Sequence, residues 1–358
     1  INSPYLFDLQ NTDLLFPGVT SNTQRFVVVD SNVQKFYDLE IRAYFIHHGV
    51  DAKIVTYPSG EEHKNMDSFI DLAKELETFP IHRRDEPIIA IGGGTLTDVV
   101  GYLASSYRRS VPHIKVPTTL MGYVDAAIGI KNGINFNGHK NRLGSFEAPL
   151  KVFLDKAFLK TLPQKYILDG VCEIIKLAVI KDIGLFDLLE QHGACSVEAK
   201  FQNDVGGLIL DRAITGMLEE LEPNLFEDDL QRKVDFGHTF SYGLEIQNAG
   251  ILHGEAVLLD IIFSIMIANQ RGLLSDVEVD RVFRLVDDLG ICVNYSVLDP
   301  KDLWDALEER TCHRNGFQRV PMPDGLGACV FLNDIEQHEI MSAHQTLLKK
   351  AGIPDGRN

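Results

Sequence analysis

The stretch IIAIGGGTLTDVVGYLASS does more than any other to limit the folds open to this chain. Apolar residues from Ile88 to Ile91 run into Gly92, Gly93 and Gly94, and an amphipathic segment from Leu96 to Ser106 follows at once. A short apolar run ending in glycine reads as a buried strand, and the spacing after it is helical. Glycine removes the Cβ that would hold a ligand off the main chain, and a helix start offers unpaired N–H groups with a partial positive charge. The turn suits a pyrophosphate, although its spacing is not GxGxxG. A tight strand-to-helix connection without ligand is the plain alternative, and Asp98 and Arg109, a charge pair flanking the helix, favour the ligand.

The same alternation runs through the first half. RFVVVD (Arg25 to Asp30), AKIVTYP (Ala52 to Pro58), EPIIAIGGG (Glu86 to Gly94) and HIKVPTT (His113 to Thr119) are β-rich, and segments such as Met66 to Leu76 between them are amphipathic. This pattern predicts an α/β, Rossmann-like domain with a parallel sheet over residues 1–160. From about Pro163 the strand signal fades. The patterns over Gly170 to Ile180, Gly207 to Leu221 and Glu255 to Gln270 predict an all-α second domain over 161–358. Asp30 and Asn32 follow a strand end, where a carboxylate and an amide can hold ribose or adenine; an ordinary DSN turn reads equally well. GEEHK (Gly60 to Lys64) likewise fits a solvated charge run.

A net charge of -17 over 358 residues argues against a nucleic-acid partner, because a phosphate backbone calls for a basic surface. An anionic substrate would need local cations. No segment approaches the roughly 20 apolar residues of a membrane span, and INSPYLFDLQ lacks a basic start followed by an apolar run. A cytoplasmic protein is expected. Cys172, Cys195, Cys292, Cys312 and Cys329 are scattered, odd in number and without CxxC, which fits structural thiols in a reducing compartment.

In the second half, Glu173 in DGVCEIIK, His238 in DFGHTF and His253 in LHGEAV are candidate metal ligands. Two histidines and a glutamate make a catalytic zinc set that leaves positions open for substrate oxygens, and cobalt suits the same donors. Their spacing is not that of a compact motif, and a lone histidine is commonly a core or surface residue. The glycines beside both histidines favour ligation. Lys176 lies on the face of Glu173, and IIKLAVI is too apolar for a solvated Glu–Lys pair.

These segments, with PSGEEHK and VPTTLMGYVDAAIGIKNGINFNGHKNRLGSF, resemble the sugar-phosphate cyclase family, whose best-known member is dehydroquinate synthase, over about Phe26 to Asp334. The resemblance implies NAD contacts from Asp30, Asn32, Glu61, Lys64, Gly93, Gly94, Asp98, Thr118 and Thr119, and a zinc held by Glu173, His238 and His253. It implies that Asp125, Lys131, Lys140, Asn141 and Lys176 hold substrate hydroxyls and phosphate. It also implies a homodimer, with Arg109 matching a phosphate-binding arginine of the partner subunit. Lys176, Lys131, Asp125, Asp235 and His313 are the expected catalytic side chains.

Departures from dehydroquinate synthase narrow the substrate. Where that enzyme has an arginine, an asparagine and a second histidine around the zinc-histidine motif, this chain has Gln231, Asp235 and Tyr242. The change removes attraction for a substrate carboxylate, and Asp235 is expected to repel one. ELEPNL, VDFGHTF and CHRNG, with Leu221, Asp235 and His313, look like 2-epi-5-epi-valiolone synthases, which cyclise sedoheptulose 7-phosphate. Desmethyl-4-deoxygadusol synthases and 2-epi-valiolone synthases share that substrate. A polyol dehydrogenase and a silent NAD-binding protein are rival readings. The lysines between Lys131 and Arg142 speak against the first, since an uncharged polyol needs no such cluster, and the intact ligand set speaks against the second.

Overall fold

A computed structural model describes residues 1–20, 22–248 and 250–353. The chain divides into two compact units, Ile1–Tyr166 and Ile167–Asn358.

The first unit is built on β1 (Gln24–Asp30), α1 (Ser31–His47), β2 (Asp51–Tyr57), α2 (Met66–Glu77), β3 (Ile88–Gly92), α3 (Gly94–Ser106) and β4 (His113–Pro117), followed by β5 (Lys131–Phe136), β6 (His139–Phe146) and β7 (Lys151–Val152). Five strands form a parallel sheet in the order β2-β1-β3-β4-β7. Alternate residues supply two cores, because side chains in a strand point to opposite faces. Val27, Val29, Ile89, Ile91, Ile114 and Val116 pack with Ile41, Tyr44 and Phe45 of α1. Phe26, Val28, Ile88 and Ala90 pack with Leu72 and Leu76 of α2 and with Leu96, Val99 and Leu103 of α3. Burial on both faces explains why these strands are apolar runs rather than half-polar ones.

The lysine-bearing segment after β4 is an antiparallel hairpin of β5 and β6, which the periodicity did not suggest. Its turn is Asn137–Gly138, both with positive φ (52° and 78°), the conformation that lets a two-residue hairpin follow the twist of its strands. The Asn-Gly pair was the available signal. Alternation is poor because β6 is largely exposed.

The second unit comprises α4 (Gln164–Ile180, whose first turn closes the first unit), α5 (Ile183–Glu198), α6 (Asp204–Leu221), α7 (Ser241–Gln247), α8 (His253–Gln270), α9 (Asp276–Asp288), α10 (Pro300–His313), the hairpin of β8 (Val320–Pro323) and β9 (Cys329–Leu332), and α11 (Gln337–Lys350). It is helical as expected apart from that hairpin, whose β8 reads VPMP. Two prolines in four residues suppress the strand signal, and a strand that pairs along one side tolerates them. α4 and α8 are apolar on nearly every side, the pattern of helices enclosed by protein. All five cysteines are free thiols. No described helix is long and apolar enough to cross a membrane.

His113 at the start of β4 is buried, with neither ring nitrogen hydrogen-bonded. Burial, aided by the neighbouring charge of Lys115, pushes its pKa down from 6.5 to about 3. The unfolded chain thus binds one more proton than the native state between those values, so stability is full above pH 6.5 and falls as pH drops toward 3. His113→Leu should flatten the pH dependence of urea unfolding between pH 4 and 6 by about one proton, roughly 1.4 kcal/mol per pH unit. An unchanged slope would show that His113 is not held neutral.

Candidate functional site

In the second unit, three elements converge on one point. Glu173 projects from α4, His238 follows the 3-10 turn Lys233–Asp235, and His253 opens α8. Their ligand atoms all lie within 4.8 Å of one another. The Nε2 atoms of His238 and His253 stand 3.6 and 3.5 Å from Glu173 Oε1. Among the described residues this is one group of such side chains with metal-binding geometry. Glu173 is completely buried, and neither carboxylate oxygen has a hydrogen-bond partner of good geometry. A buried carboxylate facing two imidazole nitrogens fits a divalent cation.

Both rings are held so that Nε2 faces the cluster. His238 Nδ1 lies 3.1 Å from the Phe236 carbonyl, and His253 Nδ1 lies 3.0 Å from Glu245 Oε1, so each Nδ1–H has an acceptor. This backing orients a metal-binding imidazole and selects its tautomer. Glu245 was not predicted; nothing in SYGLEIQ marks it until the fold brings α7 alongside His253. Burial pushes the Glu173 carboxyl upward, yet the adjacent Lys176 ammonium and the two imidazoles outweigh it and hold the group well below the ordinary carboxylate range. Burial lowers the His253 pKa, but Glu173 and Glu245 outweigh that and raise it to about 10. A cation entering the set therefore replaces a proton.

Two glycines make the convergence possible. Gly254 donates its N–H to Asp169 Oδ1 at 2.6 Å, and a Cβ there would run into the Asp169 carbonyl, so α8 can begin close against α4 only with glycine. Gly237 has φ 76°, and a Cβ there would meet Val257 Cγ1 at 2.8 Å.

Lys176 is buried and ion-paired with Glu173, as its helix spacing suggests. Asp235 is a different matter. Oδ1 lies 3.1 Å from Arg232 Nη1, and Oδ2 lies 2.5 Å from Arg314 Nη2 and 3.5 Å from Arg310 Nη2. Three guanidinium groups offset its charge, so the expected repulsion of a substrate anion by Asp235 does not follow from this structure. Periodicity could not reveal this, because Arg310 and Arg314 lie far along the chain on and just after α10. His313 stands at the end of α10 with its side chain exposed, 3.6 Å from Glu309.

In the first unit, the predicted cofactor residues gather at the carboxyl ends of the strands. β1 and β3 are neighbours on which the strand order turns back, the place where open α/β sheets bind ligands. Asp30 ends β1; its Oδ1 accepts from Asn32 N, Val33 N and Ser59 Oγ, and the Asn32 amide donates to Ser59 Oγ. Gly93 precedes α3 beside Thr119, where a Cβ would meet Thr119 Cγ2 at 3.0 Å, and Gly94 faces Ala126 at the same spacing. Thr118 N donates to Gly92 O. Glu61 accepts from Thr95 and Asn135, and Lys64 donates to Asp98 Oδ2 at 2.7 Å and Asn141 Oδ1 at 2.6 Å. The glycine cradle and bare helix start fit a dinucleotide phosphate. Asp125 lies in the π-helical turn Gly122–Ala126, while Lys131 and Lys140 lie on the hairpin. Arg109 is exposed in a loop where Arg108, Arg109 and Ser110 all have positive φ (48°, 59° and 79°). Arg83 Nη2 donates to Arg109 O, and Ser110 Oγ donates to Glu147, contacts that offset the strain.

Known proteins share this fold. The family model for the 3-dehydroquinate synthase N-terminal region matches residues 54–169, and that for its C-terminal region matches residues 170–311. The chain is 45% identical to a 2-epi-5-epi-valiolone synthase of Streptomyces albus, across 94% of this chain and 85% of that one. It is 36% identical to a demethyl-4-deoxygadusol synthase of Trichormus variabilis, across 94% and 84%. The 2-epi-5-epi-valiolone synthase of Streptomyces hygroscopicus, solved with NAD+ and Zn2+ bound, superposes with a TM-score of 0.93 at 40% identity, covering 98% of this chain and 96% of that one. With both regions matched and the likeness extending over almost its full length, this chain belongs to the 3-dehydroquinate synthase family of sugar-phosphate cyclases.

Proposed function

We propose that the protein converts sedoheptulose 7-phosphate into 2-epi-5-epi-valiolone and inorganic phosphate, as an NAD- and zinc-dependent lyase. The observation that carries this reading is the convergence of Glu173, His238 and His253 beside Lys176, in a chain 45% identical to a synthase of that name. Asp30, Asn32, Glu61, Lys64, Gly93, Gly94, Asp98, Thr118 and Thr119 would hold NAD, which when bound accepts a hydride from a carbinol and later returns it. Glu173, His238 and His253 would hold zinc or cobalt, which when bound acidifies that carbinol and fixes neighbouring hydroxyls.

The chain's own residues do the rest. Lys176 places a buried ammonium beside the ligand set, where it stabilises an oxyanion on the substrate. Arg109, Lys131, Lys140 and Asn141 supply the local cations and amide that an acidic chain needs to hold a phosphate. Asp125 orients hydroxyls. Once the carbinol is a ketone, the neighbouring C–H is acidic: the proton leaves to a base, for which the substrate phosphate serves, and the C–O bond breaks with its electron pair going to phosphate. Re-reduction, ring opening and attack of the enolate on the carbonyl then close the carbocycle. The phosphate-binding role of Arg109 goes with a homodimer in which it reaches the partner's site.

The deciding experiment incubates the protein with NAD, zinc and either sedoheptulose 7-phosphate or the carboxylated dehydroquinate precursor, with a phosphate assay and NMR of the product. Phosphate release from the first sugar only, a valiolone ring and no net NADH support the proposal. A demethyl-4-deoxygadusol product would move the chain to that sister class, turnover of the carboxylated sugar alone would make it a divergent dehydroquinate synthase, and accumulating NADH without phosphate would indicate a polyol dehydrogenase. Chelation should abolish turnover, and added zinc or cobalt should restore it. Lys176→Ala and His253→Ala should each lower kcat by about 100-fold or more with an unchanged circular dichroism spectrum; near-normal kcat in either variant removes that residue from the mechanism.

A further inference from the structure

The segment that presents His238 has little regular structure of its own, yet it is firmly tied. Upstream, His238 N donates to the Asp235 carbonyl at 3.0 Å. Downstream, three successive N–H groups, of Thr239, Phe240 and Ser241, all point at one atom: Oδ2 of Asp260, at 2.7, 2.5 and 3.1 Å. Asp260 has no accessible surface, and its other oxygen accepts from Ser264 Oγ at 3.1 Å. It lies on α8, two turns beyond His253 and on the same face. The Phe240 ring packs edge-on against Phe263 at 5.1 Å, so the segment follows the surface of this helix.

We propose that Asp260 is a positioning residue for the metal ligand His238, so that α8 carries one histidine directly and sets the other through the backbone that follows it. A buried carboxylate is retained at such a place only if it is well matched, and here three main-chain donors converge on a single oxygen. Removing it leaves three buried N–H groups without an acceptor and frees the segment to rearrange. No metal-site motif in the sequence includes Asp260; LLDIIF reads as core helix. The inference rests on the metal-binding reading above.

Zinc affinity of the purified protein, measured by competition with a chromophoric chelator, tests it. Asp260→Ala should weaken zinc binding by about 10- to 100-fold, the usual effect of losing a residue that orients a ligand. Asp260→Asn, which keeps one carbonyl oxygen, should recover part of the loss. Leu285→Ala in α9 should lower the melting temperature but leave zinc affinity within about twofold, separating ligand placement from loss of stability. Hydrogen exchange on metal-free Asp260→Asn supplies a readout should the alanine variant not fold: the amides of Thr239, Phe240 and Ser241 should exchange faster, with those of α8 unchanged. Zinc binding by Asp260→Ala equal to that of the unaltered chain, a matching loss in Leu285→Ala, or unchanged protection of the three amides would each overturn the inference. If the unaltered chain takes up no zinc, the metal reading falls and this inference with it. If the unaltered chain and Asp260→Ala bind zinc equally, only the inference falls.

Discussion

A carboxylate with no access to water, Glu173, is the interaction around which the second unit is organised. Burying such a charge without partners would cost many kcal/mol, so cations or strong donors must meet it. Lys176 does so from the same helix, and His238 and His253 bring imidazoles from two other places in the chain. Each histidine demands support in turn: Glu245 and the Phe236 carbonyl behind the rings, Gly254 to let α8 start against Asp169, and Gly237 to turn the chain before His238. The apolar run of α4 thus gives Glu173 its dry surroundings, and those surroundings leave a divalent ion as the natural complement.

The first unit answers to a different constraint. Its parallel strands are covered on both faces, so a polar ligand has room only at the strand ends. Gly93 and Gly94 keep that end open, and Asp30, Glu61 and Lys64 are held there by hydrogen bonds to neighbouring loops and to the β5–β6 hairpin. The hairpin thereby joins the residues expected at the cofactor with those expected at the substrate phosphate. The strained loop of Arg109 is tied to the segment just after the hairpin through Ser110 and Glu147.

Charge makes the same point at closer range. As a bare aspartate in an acidic sequence, Asp235 reads as a repulsive group. Enclosed by Arg232, Arg310 and Arg314, it is a matched charge close in the chain to His238. Asp260 shows the converse: a residue that looks misplaced in an apolar helix becomes intelligible once three N–H groups are seen to meet it.

Local patterns carried the α/β alternation, the helical second half, the glycine cradle and the pairing of Glu173 with Lys176, because strand and helix periods and the reach of one helical turn are properties of adjacent residues. Likeness over ordered motifs carried the family. Periodicity was silent on the exposed hairpin and on a strand half made of proline, where neither burial nor propensity leaves a trace. What only the tertiary structure decided is which distant groups meet: Glu245 behind His253, Asp260 beneath the His238 segment, and three arginines around Asp235. Electrostatic and hydrogen-bond partners act over a few ångströms in space, whatever their separation along the chain, so their identity is set by packing.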